Sequence, residues 1–266
     1  ERATAVGVIT LANLIGTGIG MAVTPLLLES TRLDTIQLWF GLAAAVSSVL
    51  FLALAREKPA TPPEPGEPET RALMLDGLKL ALKNRSFLKF LFIVFVSMGV
   101  FNGVTTWIEG IVRPRGFNAE DAGNLGAAIL VGGLVGAIVI AALSDKQRKR
   151  RKFIALGLLV GAPGVAGVAF APSFTLLVIA GVWAGFWLTS TVPVGFQYAA
   201  EVTRPTPEGT SSGLIQLCGQ GSVVFVFLMD ATRTADGAFT PSLAAATVLR
   251  VIAGPLATRL DEVQHA

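Results

Sequence analysis

"VGFQYAAEVTRPTPEGTSSGL", residues 194–214, joins two apolar segments through one short polar turn. A helix reading ends near Glu201, because Pro205 and Pro207 lack amide donors and restrict the residues before them. Thr210, Ser211 and Ser212 then offer hydroxyls to the first amides of a new helix, and Gly213 allows a neighbouring helix to come close. The second helix carries Gln216 and Gln220 within an apolar run that ends near residue 230. A primary amide costs several kcal/mol in hydrocarbon unless it finds a partner. These glutamines therefore bond a neighbouring helix or face a polar cavity. One helical turn separates them, so they share a face.

The rest of the chain has the same character. Of 266 residues, 52% are apolar and only 15% charged, where a soluble domain carries roughly 25%. Eight runs reach or approach the ~20 apolar residues needed to cross a bilayer: 4–28, 35–55, 87–111, 122–143, 153–171, 173–199, 211–230 and 241–258. The sixth contains Pro193 and is expected to kink or tilt; the last is weakened by Arg250 near its middle. Between the second and third lies the Pro/Glu-rich "REKPATPPEPGEPETR", followed by a leucine-containing stretch read as an interfacial helix.

The formal net charge of +3 does not signal a nucleic-acid partner, because the cations sit in short loops between apolar runs. With Glu1 inside, sixteen Lys/Arg fall in inner segments and four in outer ones, which predicts cytoplasmic termini and a cytoplasmic linker. One cysteine and one histidine exclude a disulfide framework and make a metal site of these residues untenable. No paired carboxylates, nucleophile–base set or P-loop occurs, so neither an enzyme nor ATP-driven chemistry is expected. No cofactor is called for: a haem would find only Cys218, Tyr198 or the tail residue His265 as isolated ligands.

Organisation follows from the spans. Two helices, a long linker and six further helices match one and a third halves of a two-times-six arrangement. Residues 4–16 and 210–222 align without a gap at Thr4/Thr210, Gly7/Gly213, Ile9/Ile215 and Leu11/Leu217, consistent with equivalent helices in two halves. The expected units are 1–55 (the last two helices of a first half), 56–86 (linker), 87–258 (a six-helix half) and 259–266 (tail). On this reading the chain is N-terminally truncated, and four missing N-terminal helices are required for a complete transporter.

Two motifs carry function. The loop "ALSDKQRKRRK", 142–152, places Asp145 at a helix end before six cations in seven positions. It resembles the second copy of the inter-helix loop motif of the major facilitator superfamily, with Ala141 where that motif prefers glycine. The expected role is a conformational latch formed by Asp145 and Arg148 with Glu201 and Glu208 at the ends of the neighbouring helices. More specific is "GFQYAAEVTRPTPEGTSSGL", which closely resembles the feline leukaemia virus subgroup C receptor family (solute carrier family 49), a branch of that superfamily.

That resemblance implies an all-α membrane fold and facilitative transport of small organic cations such as choline and ethanolamine; haem export has also been attributed to the family. It implies a mid-membrane cavity of aromatic faces and glutamines, where a soft cation is held by ring quadrupoles. By position, one family glutamine falls on Gln220 and is present. The other falls on Leu14, and a family tyrosine falls on Asn102.

The expected solute site is thus Gln220, Asn102 and Phe101, with Trp107 and Glu109 nearby on the third span. Glu109 is the only carboxylate read well inside a span and is the candidate for proton coupling. The partners are a small-molecule solute and the lipid bilayer, in a multi-pass protein of the plasma membrane. The competing reading is a non-transporting scaffold or receptor that kept the fold, or an inactive fragment.

Overall fold

A computed structural model describes residues 12–55, except 14, 21–22, 25–26 and 28–29, and residues 74–262. The chain divides into two compact units, one covering Ala12–Thr70 and the other built on the residues from Arg71 onward. Each is described by itself.

In the first unit the described residues between 12 and 27 are helical, and α1 follows at Leu33–Leu54. Most of the expected first span, 4–28, lies outside the described residues. Helix α1 exposes apolar side chains on all sides, Leu52 to 79%, which suits lipid rather than water. Its two serines spare the hydrocarbon their hydroxyls by donating to carbonyls one turn back, Ser47 to Ala43 and Ser48 to Ala44.

The second unit is a helical bundle. Helix α2 (Met74–Lys83) is followed by α3 (Arg85–Thr106), α4 (Ile108–Val112) and a 3-10 turn at Arg113–Arg115. Helix α5 (Ala119–Gln147) precedes a broken span, α6 (Arg150–Leu159) and α7 (Ala162–Phe170), and then α8 (Phe174–Val202). A second broken span, α9 (Glu208–Gly221) and α10 (Val224–Ala231), leads to α11 (Thr240–Ala257). Among the described residues, seven helical segments are long and apolar enough to cross a membrane, and they coincide with the second to eighth expected spans. The chain is a multi-pass, all-α membrane protein.

Boundaries follow local chemistry. Asn84 caps α3 by accepting from Phe87 N–H at 3.0 Å, while its amide donates to Val202 O at 2.8 Å. A reciprocal capping box between Asn118 and Asp121 opens α5. The turn at 203–207 differs from the sequence reading. Helix α9 starts at Glu208 directly after Pro207, so Thr210–Ser212 lie inside its first turns and Ser211 donates back to Glu208 O. A proline with its fixed φ supplies the entry that the hydroxyls were expected to cap.

Close packing also sits elsewhere than expected. A Cβ at Gly213 would meet nothing among the described residues. The tight approach is between α5 and α8, where a Cβ at Gly132, Gly136 or Gly185 would collide with the backbone carbonyls of Val182, Phe186 and Ile129. Glycines let the two backbones touch, so dispersion rather than the hydrophobic effect holds them in lipid. Helix α2 docks in the same manner: Gly77 and Ala81 are buried, Thr206 Oγ1 donates to Gly77 O at 3.2 Å, and Leu80 and Leu82 stay exposed.

Three spans are interrupted where the sequence showed continuous apolar runs. The gap at 160–161 precedes Pro163, and its carbonyls are met from neighbouring helices. Arg250, only 1% exposed, donates to Gly157 O at 2.6 Å, and Trp183 Nε1 donates to Val160 O at 2.7 Å. A cation at the end of α6 also meets the negative pole of that half-helix, which offsets part of the cost of an arginine at mid-span in α11. Arg250 Nε and Nη1 are buried without a hydrogen-bond partner among the described residues. Helix α8, by contrast, runs without interruption through Pro193.

Candidate functional site

Polar side chains meet at the break between α9 and α10, Asn102 among those named from sequence. Ser222 ends α9, is fully buried, and donates to Gly219 O. From α3, Asn102 Nδ2 donates to Ser222 Oγ at 3.3 Å. Cys218, one turn earlier, donates its thiol to Leu91 O at 3.2 Å. These bonds stitch α3 to the interrupted span at the point where its own ladder stops. Around them, Phe225 fits the notch at Gly99 and meets Phe95 edge-on at 5.5 Å, and Met229 fits the notch at Gly103.

Gln220 lies two residues from Ser222, with its side chain exposed. Gln216 is exposed one turn before it. Among the described residues neither amide makes a hydrogen bond to another helix, so α9 presents two amides in a row beside the Asn102–Ser222 bond. Phe101, half-buried, packs against the core cluster that contains Val100, Val104 and Leu243.

The other two named residues lie further toward the end of α3. Trp107 sits at the break between α3 and α4, donates its indole N–H to Val226 O at 3.0 Å, and stacks on Phe239 at 5.2 Å. Glu109 lies on the short helix α4, exposed, 3.9 Å from exposed Arg113. The structure thus brings Asn102, Ser222 and the Gln220 helix together, and sets Glu109 two residues beyond Trp107, on the far side of the break.

At the opposite end of the bundle, Arg150 Nη1 hydrogen-bonds and ion-pairs with Asp145, and also donates to Ser144 Oγ at 3.0 Å. Its Nε lies 3.4 Å from Glu201 Oε1. One guanidinium therefore joins the end of α5, the start of α6 and the end of α8. Arg148, the cation named from sequence, is exposed and takes a positive φ of 51° as it terminates α5. Glu208 is exposed in the first turn of α9. Arg150 escaped the sequence reading because six cations crowd seven positions and only the phase of α6 decides which turns inward. On the other end, Arg115 donates to the carbonyls of Val168, Ala169 and Ala171 at the end of α7, and burial lowers its pKa.

Comparisons with known proteins agree with this architecture. Residues 1–227 match the family profile described as Major Facilitator Superfamily. A protein of Archaeoglobus fulgidus described as uncharacterised is 31% identical over 194 residues, covering 72% of this chain and 85% of that one. A choline/ethanolamine transporter of Danio rerio is 27% identical, covering 83% of this chain and 51% of its own length. Solute carrier family 49 member A3 of the same organism is 28% identical, with coverages of 94% and 54%. The chain thus spans about half the length of these two vertebrate relatives. The resemblance read from residues 195–214 is borne out by them.

Proposed function

The chain belongs to the Major Facilitator Superfamily, a family of transporters rather than enzymes, and from that premise we propose that it works by alternating access on a small organic cation such as choline or ethanolamine. The observation that carries this reading is the polar cluster at the α9–α10 break. A discontinuous helix in a transporter half is where backbone and side-chain polar groups become available to a solute near mid-membrane. Here Asn102 bonds Ser222 at such a break, and Gln220, exposed two residues before Ser222, is the position where the sequence keeps the family's glutamine. Phe95, Phe101 and Phe225 supply aromatic surface beside it, suited to a cation of low charge density. The named activity of the Danio rerio relative supports the same solute class.

Opening and closing require a contact that exists in one state and not the other. The Asp145–Arg150–Glu201 cluster fills that role in this reading, since it ties three helices at one end of the bundle. The excess of cations in the loops at that end favours its placement in the cytoplasm, with both termini of this segment inside, and the plasma membrane is the proposed location.

The test is uptake of labelled choline and ethanolamine into liposomes containing the full-length protein. Saturable uptake that falls at least tenfold in Gln220→Ala, with protein folding unchanged, supports the reading. Saturable uptake of anions in preference to cations sinks the cation assignment, and no solute flux at all favours a scaffold.

A further inference from the structure

We propose that the stacked Trp107–Phe239 pair is a second binding site, specific for an organic ammonium ion, and that Arg233 is its built-in occupant. The inference rests on reading the chain as a carrier of organic cations and places a separate station at the end of the bundle remote from Arg150.

The geometry is complete within three residues. The two ring centroids are 5.2 Å apart with planes inclined by 28°. Arg233 Cζ lies 5.6 Å from the Trp107 centroid and 5.0 Å from that of Phe239. The three centres form a nearly equilateral triangle, so a single cation lies within cation–π reach of both rings.

The rings are fixed and the cation is not. Trp107 is tied through its indole N–H to Val226 O. Phe239 is 1% exposed and presses on Gly110, where a Cβ would come within 2.8 Å of its ring. The loop between Arg233 and Phe239 is closed by its own bonds: Thr234 N–H to Ala238 O at 3.0 Å, Gly237 N–H to Thr234 O at 2.8 Å and Ala238 N–H to Thr234 Oγ1 at 2.9 Å. Gly237 adopts φ +78°, which a side chain would resist. Arg233 itself has a side chain 41% exposed, and its ion pair is with exposed Asp230 at 4.0 Å. Swinging that guanidinium into water leaves the ring pair in place, with the Asp230 carboxylate released beside it. A quaternary or primary ammonium group fits the same position, because it presents the same diffuse positive charge.

Arg233 therefore competes with any ammonium ligand, and removing it must tighten binding. The test titrates the full chain in detergent with tetramethylammonium, following indole fluorescence and the melting temperature, for the wild type, Arg233→Gln, and Arg233→Gln combined with Trp107→Leu. The expected result is about tenfold tighter binding in Arg233→Gln and loss of that gain in the double variant. Arg233→Gln combined with Phe239→Leu provides a second removal of the platform should Trp107→Leu fail to fold. Equal affinity in wild type and Arg233→Gln overturns the proposal, as does a gain that survives loss of either ring. Absence of choline uptake by the wild type would instead count against the transport reading, and this titration does not depend on uptake.

Discussion

Arg150, at the first residue of α6, reaches Glu201 near the end of α8 with Nε 3.4 Å from Oε1, both side chains being 8% exposed. The pair is removed from water and completed by Asp145 and Ser144. Deleting one member of such a cluster leaves its partner's charge buried without full compensation, a penalty of about 3–5 kcal/mol. Arg150→Ala should therefore lower stability by roughly 3 kcal/mol. Arg148→Ala, altering an exposed cation, should stay within about 0.5 kcal/mol. Denaturant or thermal unfolding in detergent distinguishes them, and equal losses would contradict the inward placement of Arg150.

The glycines of α5 and α8 make a second expectation. Gly136→Ala and Gly185→Ala each force a methyl against a backbone carbonyl and should cost about 1–3 kcal/mol through overpacking. Gly213→Ala on α9 meets open space among the described residues and should be neutral or slightly stabilising, by up to about 1 kcal/mol from helix propensity. Expression level and melting temperature of the three variants read this out directly.

Arg115 closes the end of α7 through three carbonyl contacts. Arg115→Met keeps much of the apolar stem and removes the charged donors, so the expected loss is about 1.5–3 kcal/mol. Hydrogen exchange should rise first at residues 168–171. Protection unchanged there would show that the cap is dispensable.

Asn102 stands where the family resemblance places a tyrosine. Asn102→Tyr restores an aromatic face beside Gln220 while breaking the bond to Ser222. A cation–π contact worth about 1 kcal/mol should raise choline affinity roughly fivefold. The measurement is the KM of choline uptake; a KM that rises instead would mean that the Asn102–Ser222 bond holds the site in shape.

Glu109 lies exposed next to Arg113, on the short helix beyond the break. The structure gives it none of the burial that a proton-coupling carboxylate needs. Glu109→Gln should accordingly leave the pH profile of uptake unchanged, and a flattened profile would restore Glu109 as the coupling group.

Much of the architecture was legible in the sequence, because a bilayer imposes length and composition on each segment separately. Leu33–Leu54 and Glu120–Gln147 announce themselves as spans without reference to any neighbour. The turn at 203–207 and the cation-rich loop at 146–152 were equally plain, since prolines and charges cannot stay inside hydrocarbon. The cost of an amide in hydrocarbon flagged Gln216 and Gln220 alike, and the family resemblance singled out Gln220. What hydropathy could not register are the breaks at 107, 160–161 and 222–223, because apolar residues continue through them. They are sustained by groups that arrive from other helices, such as Asn102 on Ser222 and Arg250 on Gly157.

The sequence by itself thus determined the class of fold, the number of spans after the first and the family resemblance. The first two are dictated residue by residue by the energy of burying polar groups in lipid, whereas the resemblance rests on the motif at 195–214. Only the tertiary structure decided which cation faces inward, which glycines touch a neighbouring backbone, and which aromatic rings share a cation. Those outcomes depend on the rotation of one helix against another. Arg148 and Arg150 are two residues apart in a run of like charges, and roughly 200° of helical phase would separate them on a continuous helix. The turn at Arg148 and the packing of α6 on α8 select Arg150 to meet Glu201.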